Sequence, residues 1–307
     1  MGKKIATREA YGKALSELII ENENVVVLDA DLTKSTKTCE AKTACPSRHF
    51  NIGIAEGNMI GVAAGLASSG KVPYVSSFAM FLAGRAYEQI RNSIGYPHLN
   101  VKLCATHAGI SVGEDGASHQ SIEDLSLMRG IPGMYVFQPC DEIETKAVIK
   151  SIANINAPCY VRLGRCAVES VNDETYEFEI GKGVTLHKGK KVAIIATGLM
   201  VQEALKAAKE LSDIDPTIVN IHTIKPIDKD LIIELSKTHD VIITCEEHNV
   251  IGGLGSAVAE VLAPYNNSRQ YMIGIEDTFG ESGTPDELLN KYGLCASNIV
   301  KKVREVI

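Results

Sequence analysis

RHFNIGIAEGNMIGVAAGLASSGKVPYVSSFAMFLAGRAYEQI, residues 48–90, decides the fold. Gly53, Gly57, Gly61 and Gly65 recur every four residues, so on an α-helix they fall on one nearly continuous face. A glycine inside a helix costs roughly 1 kcal/mol relative to alanine. Several together call for a compensating reason, the close approach of another backbone across a domain or subunit boundary; the alternative is that some of them lie in a loop. Glu56 sits one residue from this face among apolar and small residues, which predicts burial. A buried carboxylate is costly to ionise unless it is paired, which suits a group that shares a proton with a ligand. An ordinary acid at a helix start would instead be a dipole partner. After Gly70 the pattern changes to PYVSSF (73–78), the short apolar run of a buried strand.

Working outward, similar runs appear at VVVLDA (25–30), VKLCAT (101–106), MYVFQP (134–139) and CYVRL (159–163), separated by helical patterns. That rhythm predicts a parallel α/β sheet over residues 1–167. The charged, glycine-punctuated stretch VNDETYEFEIGKGVTLHKGKK reads as a linker, placed at 168–189. A smaller α/β domain over 190–307 follows, with strands at VAIIAT (192–197), TIVNI (217–221), VIITCEE (241–247) and QYMIGI (270–275), a helix through ALKAAKEL and another from Gly255.

Composition narrows the partners. A chain of 307 residues with 45% hydrophobic and 22% charged residues can bury one or two cores. Its net charge of -7 disfavours a polyphosphate backbone as partner, so no nucleic acid is expected. The eight cysteines contain no CxxC pair and several lie in strand-like runs, as reduced core thiols do. No segment has signal-peptide or membrane-span character. The expected compartment is the cytoplasm, with no membrane contact.

The 48–90 stretch, followed by THAGISVGEDGASHQSIEDLSLMRGIPGMYVFQPCD (106–141), resembles the pyrimidine-binding domain of transketolases and their relatives. GIEDTFGESGTPDELLNKYGL (274–294) resembles part of that family's C-terminal domain. The resemblance implies thiamine diphosphate as cofactor, held between two chains, one gripping the diphosphate through Mg2+ or Ca2+ and the other the aminopyrimidine. The family's diphosphate motif, GDG followed further on by Asn, is missing here; GEDG at 113–116 lies in the substrate-loop context. The implied partner is a separate N-terminal subunit that carries the metal, in an α2β2 heterotetramer built on a dimer of this chain.

Residue by residue, Glu56 matches the family's catalytic glutamate, which hydrogen-bonds a pyrimidine ring nitrogen and promotes the activating tautomer of the cofactor. Phe78 and Phe81 resemble the aromatic pocket for the pyrimidine; spaced three apart they would otherwise be core packing. The family's third aromatic position falls near Gly84. Asp31 resembles the acidic residue near the thiazolium and the substrate, with a turn or helix cap as its plain reading. Asp115 and His119 resemble the pair that contacts the donor sugar's hydroxyls, His119 also serving in proton transfer; without the match they read as an Asx-turn and a surface histidine. Arg8, Ser35, His107 and Arg162 match the positions that contact the substrate phosphate, and Arg165 is close enough to compete with Arg162 for the role. The turn in EEHNVIGGLGSAVAEVL (246–262) has the form of an anion cradle but reads as structural. The implied reaction is reversible transfer of a two-carbon ketol unit between a ketose phosphate and an aldose phosphate. The other readings are a 1-deoxy-D-xylulose-5-phosphate synthase, a 2-oxo acid dehydrogenase β subunit, and a non-catalytic scaffold subunit.

Overall fold

Burial on both faces dictates the sheet. Every residue of the strands Val25–Asp29 and Val72–Phe78 is buried, so each must be covered by helices above and below, as parallel strands with crossover connections are. The computed structural model describes residues 4–265 and 267–307. Its first sheet runs, edge to edge, Thr223–Lys225, Tyr135–Phe137, Cys159–Arg162, Lys102–Thr106, Val72–Phe78, Val25–Asp29, His49–Asn51. All neighbours are parallel except the first pair. The second sheet runs Arg269–Ile275, His239–Asn249, Lys191–Ala196, Thr217–Asn220, Val184–His187, with only the last strand antiparallel. The α/β class and the parallel rhythm are as the sequence predicts.

The proposed linker is not one along its whole length. Ala167–Val168 pairs with Ile5–Ala6, and Val184–His187 closes the edge of the second sheet, so the second unit begins before residue 190. Thr223–Lys225, from the C-terminal part, joins the first sheet beside Tyr135–Phe137. One apolar cluster therefore spans both parts, Val136 and Leu125 packing with Ile221, Ile224 and Val258. The units are welded through a shared core, and all eight cysteines are free.

The glycine face is shorter than its sequence period. Gly53 precedes the helix Glu56–Ser68 in a left-handed conformation, φ 78°, which glycine adopts without a Cβ penalty. Gly57, Gly61 and Gly65 are on the helix, which turns Met59, Ile60, Ala63 and Ala64 into the core. Gln89 covers Gly57, whereas among the described residues nothing stands where a Cβ would lie at Gly61 and Gly65. After Phe78 the chain winds through wide π turns at Met80–Arg85 and Ile90–Gly95, a geometry that often re-aims side chains at functional sites.

Candidate active site

Three adjacent strands end at one edge of the first sheet: Val25–Asp29, Val72–Phe78 and Lys102–Thr106. The carboxyl ends of parallel strands are where open α/β sheets place ligands. Glu56, the first residue of its helix, is 1% exposed there. Its Oε2 accepts a 2.7 Å hydrogen bond from Arg85 Nη1 and its Oε1 one of 3.2 Å from Ser77 Oγ. The carboxylate is thus buried and also paired, with lone-pair capacity left on both oxygens.

Aromatic faces flank it. Phe78 and Phe81 stack with centroids 6.0 Å apart, the His107 ring lies 3.9 Å from Phe78, and the His119 ring meets Phe81 edge-on at 5.1 Å. Where the family resemblance calls for a third aromatic, Gly84 is bare and the Met80 methyl fills the space a Cβ would need. The Arg85 guanidinium covers the other side, 4.7 Å from the Phe81 centroid, within cation–π range.

A second group gathers at the rim. Arg8 Nη1 donates to the Ser35 carbonyl at 3.0 Å and to His107 Nε2 at 2.9 Å. Arginine has only donors, so Nε2 must carry the lone pair, and Nδ1–H donates to Thr106 Oγ1 at 2.9 Å. Burial, then the charges of Arg8 and Arg165, lower the His107 pKa to about 3. His107 should therefore stay neutral and Nδ1-protonated as pH falls from 8 to 5, which NMR titration of its ring can check; a midpoint near 6.5 would contradict this pairing. Whole-protein stability is the wrong readout. A depressed histidine favours the fold only above its unfolded pKa and is lost on acidification. Burial raises Glu144 and Glu246 to about 7, which pulls the opposite way across the same range.

Arg162 does not join this rim. It is buried, bonded through Nε to the Asp124 carboxylate at 2.9 Å and through Nη2 to the carbonyls of Ser121 and Glu247. Its Nε and Nη2 donors are committed to the fold and its side chain is paired with Asp124 in the interior, so its assignment to the phosphate is corrected. The charge of Arg165 lowers the pKa of both Arg8 and His107, which leaves it as the arginine of the pair on the rim's side. Its side chain is half-buried and rests on the Val112 carbonyl and the Glu114 carboxylate. Ser35 meets Arg8 through its backbone carbonyl.

Asp31 is exposed, in a left-handed conformation with φ 62°. Asn51 holds it twice, Oδ1 accepting from the Asp31 amide at 3.1 Å and Nδ2 donating to its carboxylate at 3.0 Å. Asp115 is exposed and His119 half-buried on the loop after Gly113. Four residues of the site lay outside the sequence reading: Ser77, Arg85, Asn51 and Asp29. Asp29 is fully buried and accepts from Thr33 and Thr38, with His49 Nε2 2.9 Å from its carboxylate. Burial pushes its carboxyl up, but the contacts with His49, Thr33 and Thr38 together outweigh it and hold the pKa below the usual value. An aspartate inside the apolar run VVVLDA was the signal for it.

The GGLGS turn is filled by the chain itself. The Glu246 carboxylate accepts from the amides of Leu254 and Gly255, both at 2.7 Å, taking the helix start an outside anion would use. Among the described residues no group of three or more His, Cys, Asp or Glu could hold a metal ion, and no helix is long and apolar enough to cross a membrane.

The transketolase pyrimidine-binding domain matches residues 3–170 and the transketolase C-terminal domain residues 181–299. The chain belongs to the transketolase family. It is 52% identical over 303 residues to a putative transketolase C-terminal section of Methanocaldococcus jannaschii, covering 97% of this chain and 95% of that one. It is 40% identical to a 6-deoxy-6-sulfo-D-fructose transketolase subunit of a Clostridium strain, covering 97% and 94%. A solved structure described as a split-gene transketolase, an inactive β4 tetramer, superposes with a TM-score of 0.91 at 53% identity, covering 98% of both chains. Against a Caldanaerobacter subterraneus 1-deoxy-D-xylulose-5-phosphate synthase, 35% identical, the chain spans 48% of the relative's length.

Proposed function

We propose that this chain is the pyrimidine-holding C-terminal subunit of a thiamine-diphosphate-dependent transketolase, completed by a separate N-terminal subunit that brings the diphosphate and metal site. The observation that carries the reading is Glu56, a buried carboxylate at a helix start beside the Phe78 and Phe81 rings. Those residues fit the group: an acceptor with spare lone pairs for a ring nitrogen, and aromatic faces for a flat heterocycle. Glu56 would share a proton with the ring nitrogen through a carboxylate oxygen, with Ser77 at Oε1 and Arg85 at Oε2 orienting the group. Phe78 and Phe81 would fix the ring, and Asp31 would lie toward the thiazolium and the substrate. When bound, thiamine diphosphate supplies the carbon nucleophile for moving a two-carbon ketol unit; the metal, Mg2+ or Ca2+, would sit mainly on the partner.

On the substrate side, Asp115 and His119 would face the donor's hydroxyls, and Arg8, His107 and Arg165 its anionic end. The buried Nε of Arg8 has no partner among the described residues, so that end of the site has donor capacity left for an anion. Arg165→Ala should raise the KM for a phosphorylated substrate by about tenfold, the loss of one hydrogen bond to a charged group, while the thermal midpoint stays put. An unchanged KM would remove Arg165 from the rim. A cationic rim also suits a sulfonate, the group in the Clostridium relative's substrate, so the assay should compare the two anions.

The test is reconstitution. The chain, mixed with its N-terminal partner, thiamine diphosphate and Mg2+, should transfer a ketol unit from ketose phosphate to aldose phosphate. Condensation of pyruvate with glyceraldehyde phosphate, releasing carbon dioxide, would instead favour the 1-deoxy-D-xylulose-5-phosphate synthase reading. The inactive β4 tetramer formed by the split-gene neighbour supports a half that needs another chain.

A further inference from the structure

The loop between the strand Lys102–Thr106 and the helix Asp124–Arg129 carries Asp115 and His119; Arg162, Arg165 and Cys166 hold it from its own domain, and the C-terminal domain holds it from the other side. At its start the Ser111 amide donates to the Glu247 carboxylate at 2.7 Å. Gly109, φ 84°, leaves room for that side chain, which a Cβ there would strike. At its end the Asn249 amide donates to the Ile122 carbonyl at 2.8 Å. Between them stands Gln120, 3% exposed. Its Nε2 reaches three carbonyls, those of Ile110 at 3.2 Å and Gly113 at 3.3 Å on its own loop and that of Glu281 in the C-terminal domain at 2.9 Å. The reversed amide would set an oxygen against three oxygens, so the surroundings fix its orientation. Its Oε1 is buried, without a partner among the described residues, and lies where a Cβ on Gly280 would be. Ser282 packs against the bare face of Gly116, one residue beyond Asp115.

We infer that Gln120 is a positioning residue through which the C-terminal domain holds the Asp115–His119 loop in place for the donor sugar. The inference rests on the proposed transketolase reading of that loop. It gives the C-terminal domain a part in the reaction beyond assembly. A loop with an exposed polar middle and several glycines has many conformations when nothing holds it. One amide bridging both loop arms to a second domain removes most of them, and a misplacement of about 1 Å in a positioning group can cost roughly a hundredfold in rate.

The test uses substitutions on both sides of the contact, in the reconstituted pair and in this chain alone. Gln120→Ala removes the bridge, Gln120→Glu keeps its shape but opposes a carboxylate to three carbonyls, and Gly280→Ala pushes on the amide from the C-terminal side. In each, amide hydrogen exchange in this chain should rise over 109–121 and stay unchanged over 101–106. In the pair, the KM for the donor ketose should rise by roughly ten- to a hundredfold, with cofactor affinity unaltered. Unchanged exchange would overturn the bridge itself. Faster exchange throughout the chain, or loss of cofactor affinity with activity, would make Gln120 a merely structural residue and overturn the inference. Faster loop exchange with an unchanged donor KM would overturn it too, and place the fault in the assignment of Asp115 and His119. A wild-type pair with no ketol transfer would fail the underlying reading, while the exchange arm still judges the bridge.

Discussion

Glu56→Gln is expected to cut ketol-transfer turnover of the assembled enzyme by about two to four orders of magnitude, the usual worth of a positioned acid–base group. The substitution preserves shape, so packing beside Ser77 and the aromatic rings survives. What it removes is the charge that holds a proton at the carboxylate oxygen and attracts Arg85 at 2.7 Å. Arg85 is 49% exposed and can hydrate when its partner is gone, so the fold should lose little. Turnover is measured in the reconstituted pair, with the thermal midpoint recorded alongside. A variant that keeps most of its turnover would sink the assignment of Glu56, and one that unfolds would show the carboxylate to be structural.

Arg162→Leu should act through stability instead, costing about 3–5 kcal/mol, the price of breaking one partner out of a buried ion pair. Arg162 and Asp124 are 1% and 0% exposed at their side chains. Leucine would strand the Asp124 carboxylate and the carbonyls of Ser121 and Glu247 in a dry interior. Urea unfolding of this chain gives the difference directly. A shift below about 1 kcal/mol, typical of an exposed pair, would mean that the guanidinium is not committed as described. The contrast with Arg165→Ala, which should change substrate affinity and spare stability, separates the two arginines of the RLGR string.

Much of this was legible in the sequence. The strands of the first sheet announce themselves because burial on both faces demands mostly apolar runs, as in VVVLD and VPYVSSF, with Asp29, Ser76 and Ser77 as buried exceptions. Glu56 stood out for a related reason, a charge where the surroundings allow only small and apolar side chains. The short edge strand Val184–His187 was lost in the linker because it is only partly buried, and the Lys182–Gly183 and Lys188–Gly189 pairs that flank it read as loop. Arg162 was misplaced because its partner Asp124 is distant in the sequence, and a tertiary ion pair leaves no local pattern. Arg85 reaches Glu56 across a π turn, and helical spacing alone gives no sign of such winding. Gln120 was invisible for the same reason as Arg162: its third carbonyl belongs to Glu281, in the other domain.

The central claim, half of a thiamine-diphosphate site, is tested most directly by calorimetric titration of the cofactor with Mg2+ into this chain, its N-terminal partner and their equimolar mixture. Tight, saturable binding in the mixture and not in this chain alone, weakened by Glu56→Ala, is the result predicted. Binding to the isolated chain as tight as to the mixture would contradict it.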